Sequence, residues 1–239
     1  MRYILTLLIL CAGLLPAHAQ SYDGHPLAGL TGAAFAEPTA RYDHGILGDA
    51  VEWGALAFTL DTGERRVIRL PETRVFEDIS PRLIRGDRGQ TLAMVVESDL
   101  SRGARLALYG PQGLYAATPF IGQPHRWLAP VAAGDLDGDG AVELAYVDRP
   151  HLAKTLRVWR LADGRLTEVA ALEGVSNHKI GWDFIAGGQR DCGQGPEMVL
   201  ASGDWREVVA VRLTEGRLER KTLGPLDSLA DIDAALACR

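Results

Sequence analysis

No stretch of the chain is apolar for long enough to cross a bilayer as a helix. Its longest uncharged apolar run, residues 4–15, is about 12 residues, whereas a span needs about 20. Basic charge is short: 25 Lys and Arg face 31 Asp and Glu, a formal net charge of −6. An acidic chain with no basic run is a poor partner for nucleic acid, whose affinity rests on phosphate neutralisation. It is equally a poor partner for an anionic membrane surface. Cysteine is scarce, with three residues and no Cys-x-x-Cys pair, which argues against a redox centre and a zinc site. The six histidines form no metal-spaced pair. There is no Gly-x-Ser-x-Gly elbow, no phosphate-binding Gly-Lys-Ser/Thr, and no evident Cys/His nucleophile. Helix-period patterning is absent except near the C-terminus, where Ser228 is placed to cap a short helix.

What is present begins with a leader. Arg2, the apolar run, Pro16 and the small-x-small triplet Ala17-His18-Ala19 read as a secretory signal peptide over residues 1–19. An uncleaved membrane anchor is the alternative, disfavoured by the short run. Cleavage would start the mature chain at Gln20, change the net charge to −7 and leave no membrane span, for a periplasmic or secreted protein. Cys192 and Cys238 would then be the only cysteines, a candidate disulfide in an oxidising compartment, with two free thiols as the alternative.

Four glycines, Gly63, Gly113, Gly164 and Gly216, recur at spacings of 50, 51 and 52 residues. Each lies between two short strand-like runs, as in a hairpin whose turn needs φ > 0. Upstream of the last three come two more apolar runs separated by Gly/Asp-rich turns, the earlier runs at 79–84, 128–133 and 184–186. Four short strands in about 50 residues is the period of a propeller blade. The sequence therefore predicts an all-β fold, a small β-propeller of about four four-stranded blades over 40–225. Residues 20–39 are expected as an extended N-terminal arm and 226–239 as a C-terminal tail. A β-sandwich or an irregular stack of hairpins remains the alternative.

In the third module, residues 134–143 read Gly-Asp-Leu-Asp-Gly-Asp-Gly-Ala-Val-Glu. Asp135, Asp137 and Asp139 alternate, so their carboxylates can surround one centre, and the Ala141 carbonyl and Glu143 can complete an all-oxygen shell. Such a shell suits Ca2+. Four converging carboxylates repel one another without a cation. The spacing is not that of an EF-hand, because the twelfth position is Tyr146. The loop resembles the calcium loop of FG-GAP/VCBS repeats, the blades of integrin-type propellers and of many bacterial exported proteins. The resemblance implies Ca2+ held by Asp135, Asp137, Asp139, Ala141 and Glu143 between the first two strands of a blade. It is specific for about 45 residues, and the family's seven blades do not fit this length. Arg85-Gly86-Asp87 falls on the same turn frame in the second module and needs no receptor to explain it.

The blade frame also places one set of loops on the face opposite the acidic loop. His125, Arg126 and Trp127, with His151, His178 and Trp205, are expected to border one pocket there. The expected function is an exported calcium-binding module for a protein or carbohydrate ligand. The alternative is a hydrolase or lyase acting on polysaccharide or lipid.

Overall fold

The computed structural model describes residues 29–239. The leader expected over residues 1–19 and the first nine residues of the expected arm lie outside the described residues. The described chain is all-β apart from one helix, and every strand pairing is antiparallel. Leu30–Thr39, expected in the arm, is instead a strand, β1, paired along β2 (Glu52–Leu60); β3 (Arg65–Arg69) follows. The first module thus has three strands rather than four. β4 (Arg74–Phe76) and β5 (Arg82–Arg85) share one edge of β6 (Thr91–Asp99), followed by β7 (Gly103–Gly110) and β8 (Gly113–Ala117). β4 also touches β2, so the first two modules form one eight-stranded sheet. β9 (Leu128–Gly134), β10 (Val142–Asp148), β11 (Thr155–Ala162) and β12 (Arg165–Glu173) form the second sheet. The third holds β13 (Val175–Ser176), β14 (Gly188–Asp191), β15 (Pro196–Ser202), β16 (Glu207–Thr214) and β17 (Arg217–Pro225), and α1 (Leu229–Leu236) ends the chain.

The four marker glycines stand in the β2–β3, β7–β8, β11–β12 and β16–β17 turns with φ between 72° and 116°, conformations that cost a side chain. The inner strands are buried on both faces, so β6 is buried throughout residues 92–99, while β3, β12 and β17 have no buried residue and lie as edges toward solvent. Each sheet layer buries apolar side chains against the next. Leu56, Phe58 and Phe76 meet Val95 and Ala107. Met94, Val96 and Leu108 meet Leu128, Leu144 and Tyr146. Val147, Leu156 and Val158 meet Met198, Leu200 and Val209. The far side of the last layer, Val199, Ala201 and Val208, is covered by Ile232 and Ala235 of α1 rather than by the first module. No strand pairing among the described residues closes the layers into a ring.

The ends of this stack nevertheless meet through loops. Gly181 in the β13–β14 loop donates its N–H to Ile46 in the β1–β2 loop at 3.2 Å. The approach requires glycine at position 48 (φ 94°), where a Cβ would sit 2.9 Å from the Gly181 carbonyl oxygen. The expected first strands at 79–84 and 184–186 are displaced. In the second and fourth modules that strand is split, β4/β5 and β13/β14, by insertions carrying buried Glu77, Asp78, Asn177 and His178. Polar residues needing partners at the centre of the stack interrupt the ladder there.

Candidate functional site

The acidic loop joins β9 to β10. Asp135, Asp137 and Glu143 each offer a carboxylate oxygen, and the three lie within 4.8 Å of one another; Asp139 is not in this group. Backbone turns build the cluster. Asp135 accepts from Gly138 and Gly140, Asp137 from Asp139, Asp139 from Ala141, and Glu143 from Leu136. Ala141 is thus engaged through its N–H. Arg160, directly across the β10–β11 ladder from Glu143, lays its guanidinium over the remaining oxygens: 2.7 Å to Asp137, 2.9 Å to Asp139 and 2.7 Å to Glu143. Every carboxylate oxygen of the four acids therefore has a protein donor. Repulsion among them does not by itself demand a metal ion, because a cation is built in; three negative charges still remain uncompensated. Burial raises the Glu143 carboxyl above its ordinary range, and the Ala141 N–H lowers that of Asp139. The donor set is all oxygen and fits a hard divalent cation without selecting one.

The fourth module repeats the loop's shape with different chemistry. Asp191 accepts from Gly193 and Gly195 as Asp135 does from its glycines. At the position of buried Leu136 stands Cys192, bonded to Cys238 with Cα atoms 5.7 Å apart. In the second module, Asp87 accepts from the Tyr115 hydroxyl (2.6 Å) and the Gly164 N–H (2.9 Å), which ties it to a neighbouring hairpin.

The second site lies at the other end of β9, seven residues and so roughly 20 Å from the acidic loop. A cavity of about 340 Å³ is lined by His44 and Ile46 of the β1–β2 loop, His125, Arg126 and Trp127 before β9, Arg149, His151 and Leu152 after β10, and Ile180. Four of the six residues expected in one pocket line it. His178 is fully buried behind them, its ring centroid 4.9 Å from Trp127 and 5.2 Å from His151. Trp205 is not in the cavity; it packs on Trp182, under the Lys179 ammonium.

The hydrogen bonds fix the tautomers of two imidazoles. The Trp182 carbonyl can only accept, so His178 donates from Nε2 (2.9 Å) and receives at Nδ1 the Nε2–H of His151 (3.1 Å). Burial lowers both pKa values, His151 to about 4 with further repulsion from His178, so both rings are neutral near pH 7.

His44 was not foreseen as a site residue. Its Nδ1 lies 2.6 Å from Glu77, a fully buried carboxylate that also accepts from the Ser98 hydroxyl. The contact spans 33 residues and joins two modules, so spacing along the chain gave no signal. Beside it Glu52 is 3 % exposed. Desolvation, then the charges of Glu77, Asp49 and Asp78, push its pKa up to about 9. His125 and Arg149 hold left-handed backbone, φ 53° and 46°, a strained conformation for residues with side chains. No family model matches the chain, and no curated protein sequence matches it.

Proposed function

We propose that the chain is an exported binding module, an FG-GAP/VCBS-like small propeller of about four blades left open between its first and last layers. In this reading it acts in the periplasm or outside the cell and does not bind nucleic acid. The observation that carries the reading is convergence: loops of the first, third and fourth modules supply the walls of one cavity, at the strand ends opposite the acidic loop. Non-glycine residues in left-handed backbone on that rim support it, since such strain collects at functional sites. Calcium is the proposed occupant of the acidic loop, held by Asp135, Asp137 and Glu143, where it would brace the β9–β10 turn away from the ligand. A panel of oligosaccharides and peptides tests the reading. Binding that Arg126→Ala and Trp127→Ala abolish, with the calcium-dependent melting shift retained, supports it. Binding unaffected by either substitution refutes the site.

A hydrolase is the second reading, favoured by the buried Glu77 carboxylate on His44 Nδ1. That pairing orients an imidazole whose Nε2 makes no hydrogen bond among the described residues. Hydrolysis of polysaccharide or lipid esters lost in His44→Gln, with the fold intact, would select this reading over pure binding.

A further inference from the structure

We propose that the cavity takes an amphiphile: one anionic head, a carboxylate or phosphate, on a short alkyl chain. The inference rests on the reading above that this cavity is the ligand site, and it narrows the ligand to a chemical class.

The rim is the first argument. Single exposed apolar side chains are ordinary on a protein surface. Here the two most exposed large ones of the described chain, Ile180 at 71 % and Leu152 at 62 %, border the same cavity from different modules. Ile46, 6 % exposed, continues the apolar wall inward. An apolar lip and wall beside a guanidinium fit a ligand that has both an apolar part and a charged part.

Charge is the second argument. Arg126 has no carboxylate partner among the described residues, and its side chain donates only to the carbonyl of adjacent His125. The Arg149 fork is already closed on Asp148, at 2.8 and 2.9 Å. His151 is neutral, His125 pairs with Asp43, and Glu77 is sealed beneath His44. One unpaired guanidinium calls for one anionic group, and its planar donors suit an oxyanion.

The aromatic groups supply the third argument, against a sugar. A carbohydrate site presents the face of an aromatic ring. Trp127 is 2 % exposed, sits edge-on to His178, and spends its N–H on the Glu77 carbonyl at 2.9 Å. Trp205, partly buried against Trp182, is elsewhere. A cavity of about 340 Å³ is also at the small end of ligand pockets, which run from about 300 to 1,000 Å³, so it holds a head group and the start of a chain.

The test titrates the full chain with decanoate below its micelle concentration and reads the histidine ring resonances by NMR. Acetate supplies the head alone, decyl maltoside the chain with a neutral head, and decyl phosphate the other anionic head. Decanoate or decyl phosphate should move the rings of His44, His125 and His151. Acetate and decyl maltoside should bind at least ten-fold more weakly. Arg126→Ala and the double variant Leu152→Ser/Ile180→Ser should each weaken decanoate at least ten-fold without lowering the melting temperature, and Arg126→Lys should recover part of the loss. Equal affinity for acetate, or for decyl maltoside, overturns the proposal, as does silence of the rings toward every probe. Maltohexaose moving those rings while decanoate does not would overturn the amphiphile and leave the site standing. Decanoate binding that shifts only distant resonances would remove both.

Discussion

Among the described residues, Glu52 makes folding stability depend on pH. Its folded pKa is raised to about 9 from an ordinary 4.5, so the folded chain holds a proton that the unfolded chain releases between those values. Its favourable contribution is complete below pH 4.5 and is lost as pH rises through 9. Glu52→Gln keeps the neutral shape without the proton. Urea unfolding at pH 8.5 should show the variant more stable than the parent by a few kcal/mol, at about 1.4 kcal/mol per pKa unit, and equal to it within error at pH 4. A gain of the same size at both values would rule out this origin. On the acid side, His151 works in the opposite sense: its lowered pKa costs stability as pH falls from 6.5 toward 4. None of this was legible in the sequence, where Glu52 opens an apolar run with nothing to mark it as buried. The same holds for Glu77 and His44, which meet only when the second module closes on the first. By contrast, His125, Arg126, Trp127 and His151 were legible as neighbours, because their places relative to strand ends follow the module frame. Trp205 failed on the same frame because its ring turns toward Trp182 and the apolar layer beneath α1.

At the scale of the element, the β9–β10 turn and the β11 residue facing it act as one unit. The Asp spacing was visible in the sequence; Arg160 was not singled out, since its role depends on the β10–β11 register that sets it opposite Glu143. Removing Arg160 leaves buried Glu143 without its ion pair, a change that costs about 3–5 kcal/mol for a fully buried pair and less here, where Arg160 is partly exposed. Arg160→Gln should therefore melt lower than the parent in chelator and recover most of the loss in millimolar calcium. The parent should show a smaller calcium shift, and Asp137→Ala almost none. Thermal melts of the three proteins in EDTA and in calcium decide the matter, and unchanged melting of both the parent and Arg160→Gln on adding calcium would exclude the metal. The strand pairs around the marker glycines were equally legible, because hairpin turns are local. The split strands β4/β5 and β13/β14 were not, since their insertions follow from polar contacts between modules.

The described molecule is a stack in which each layer buries its apolar side chains against its neighbours, with loop contacts joining the two ends, finished by α1 and the bond between Cys192 and Cys238. The repeat spacing announced the layers, but what covers the last one depended on the tail folding back, which periodicity does not encode. In the chain-entropy model, closing a loop with a sequence separation of 46 stabilises by roughly 4 kcal/mol. Cys238→Ser should lower the unfolding free energy by an amount of that order, and an unchanged denaturation midpoint would show the bond to be dispensable. The bond also decides how the protein carries a mechanical load. Tension applied at Arg239 passes through the bridge into the turn at Cys192, bypassing α1, β15, β16 and β17 altogether. Those elements sit inside a covalent loop and cannot be peeled from the end. Stretched between its termini, the oxidised chain should come up short of its full contour by about 46 residues, roughly 160 Å. That hidden length should be released in one step when reductant is added to the stretched molecule.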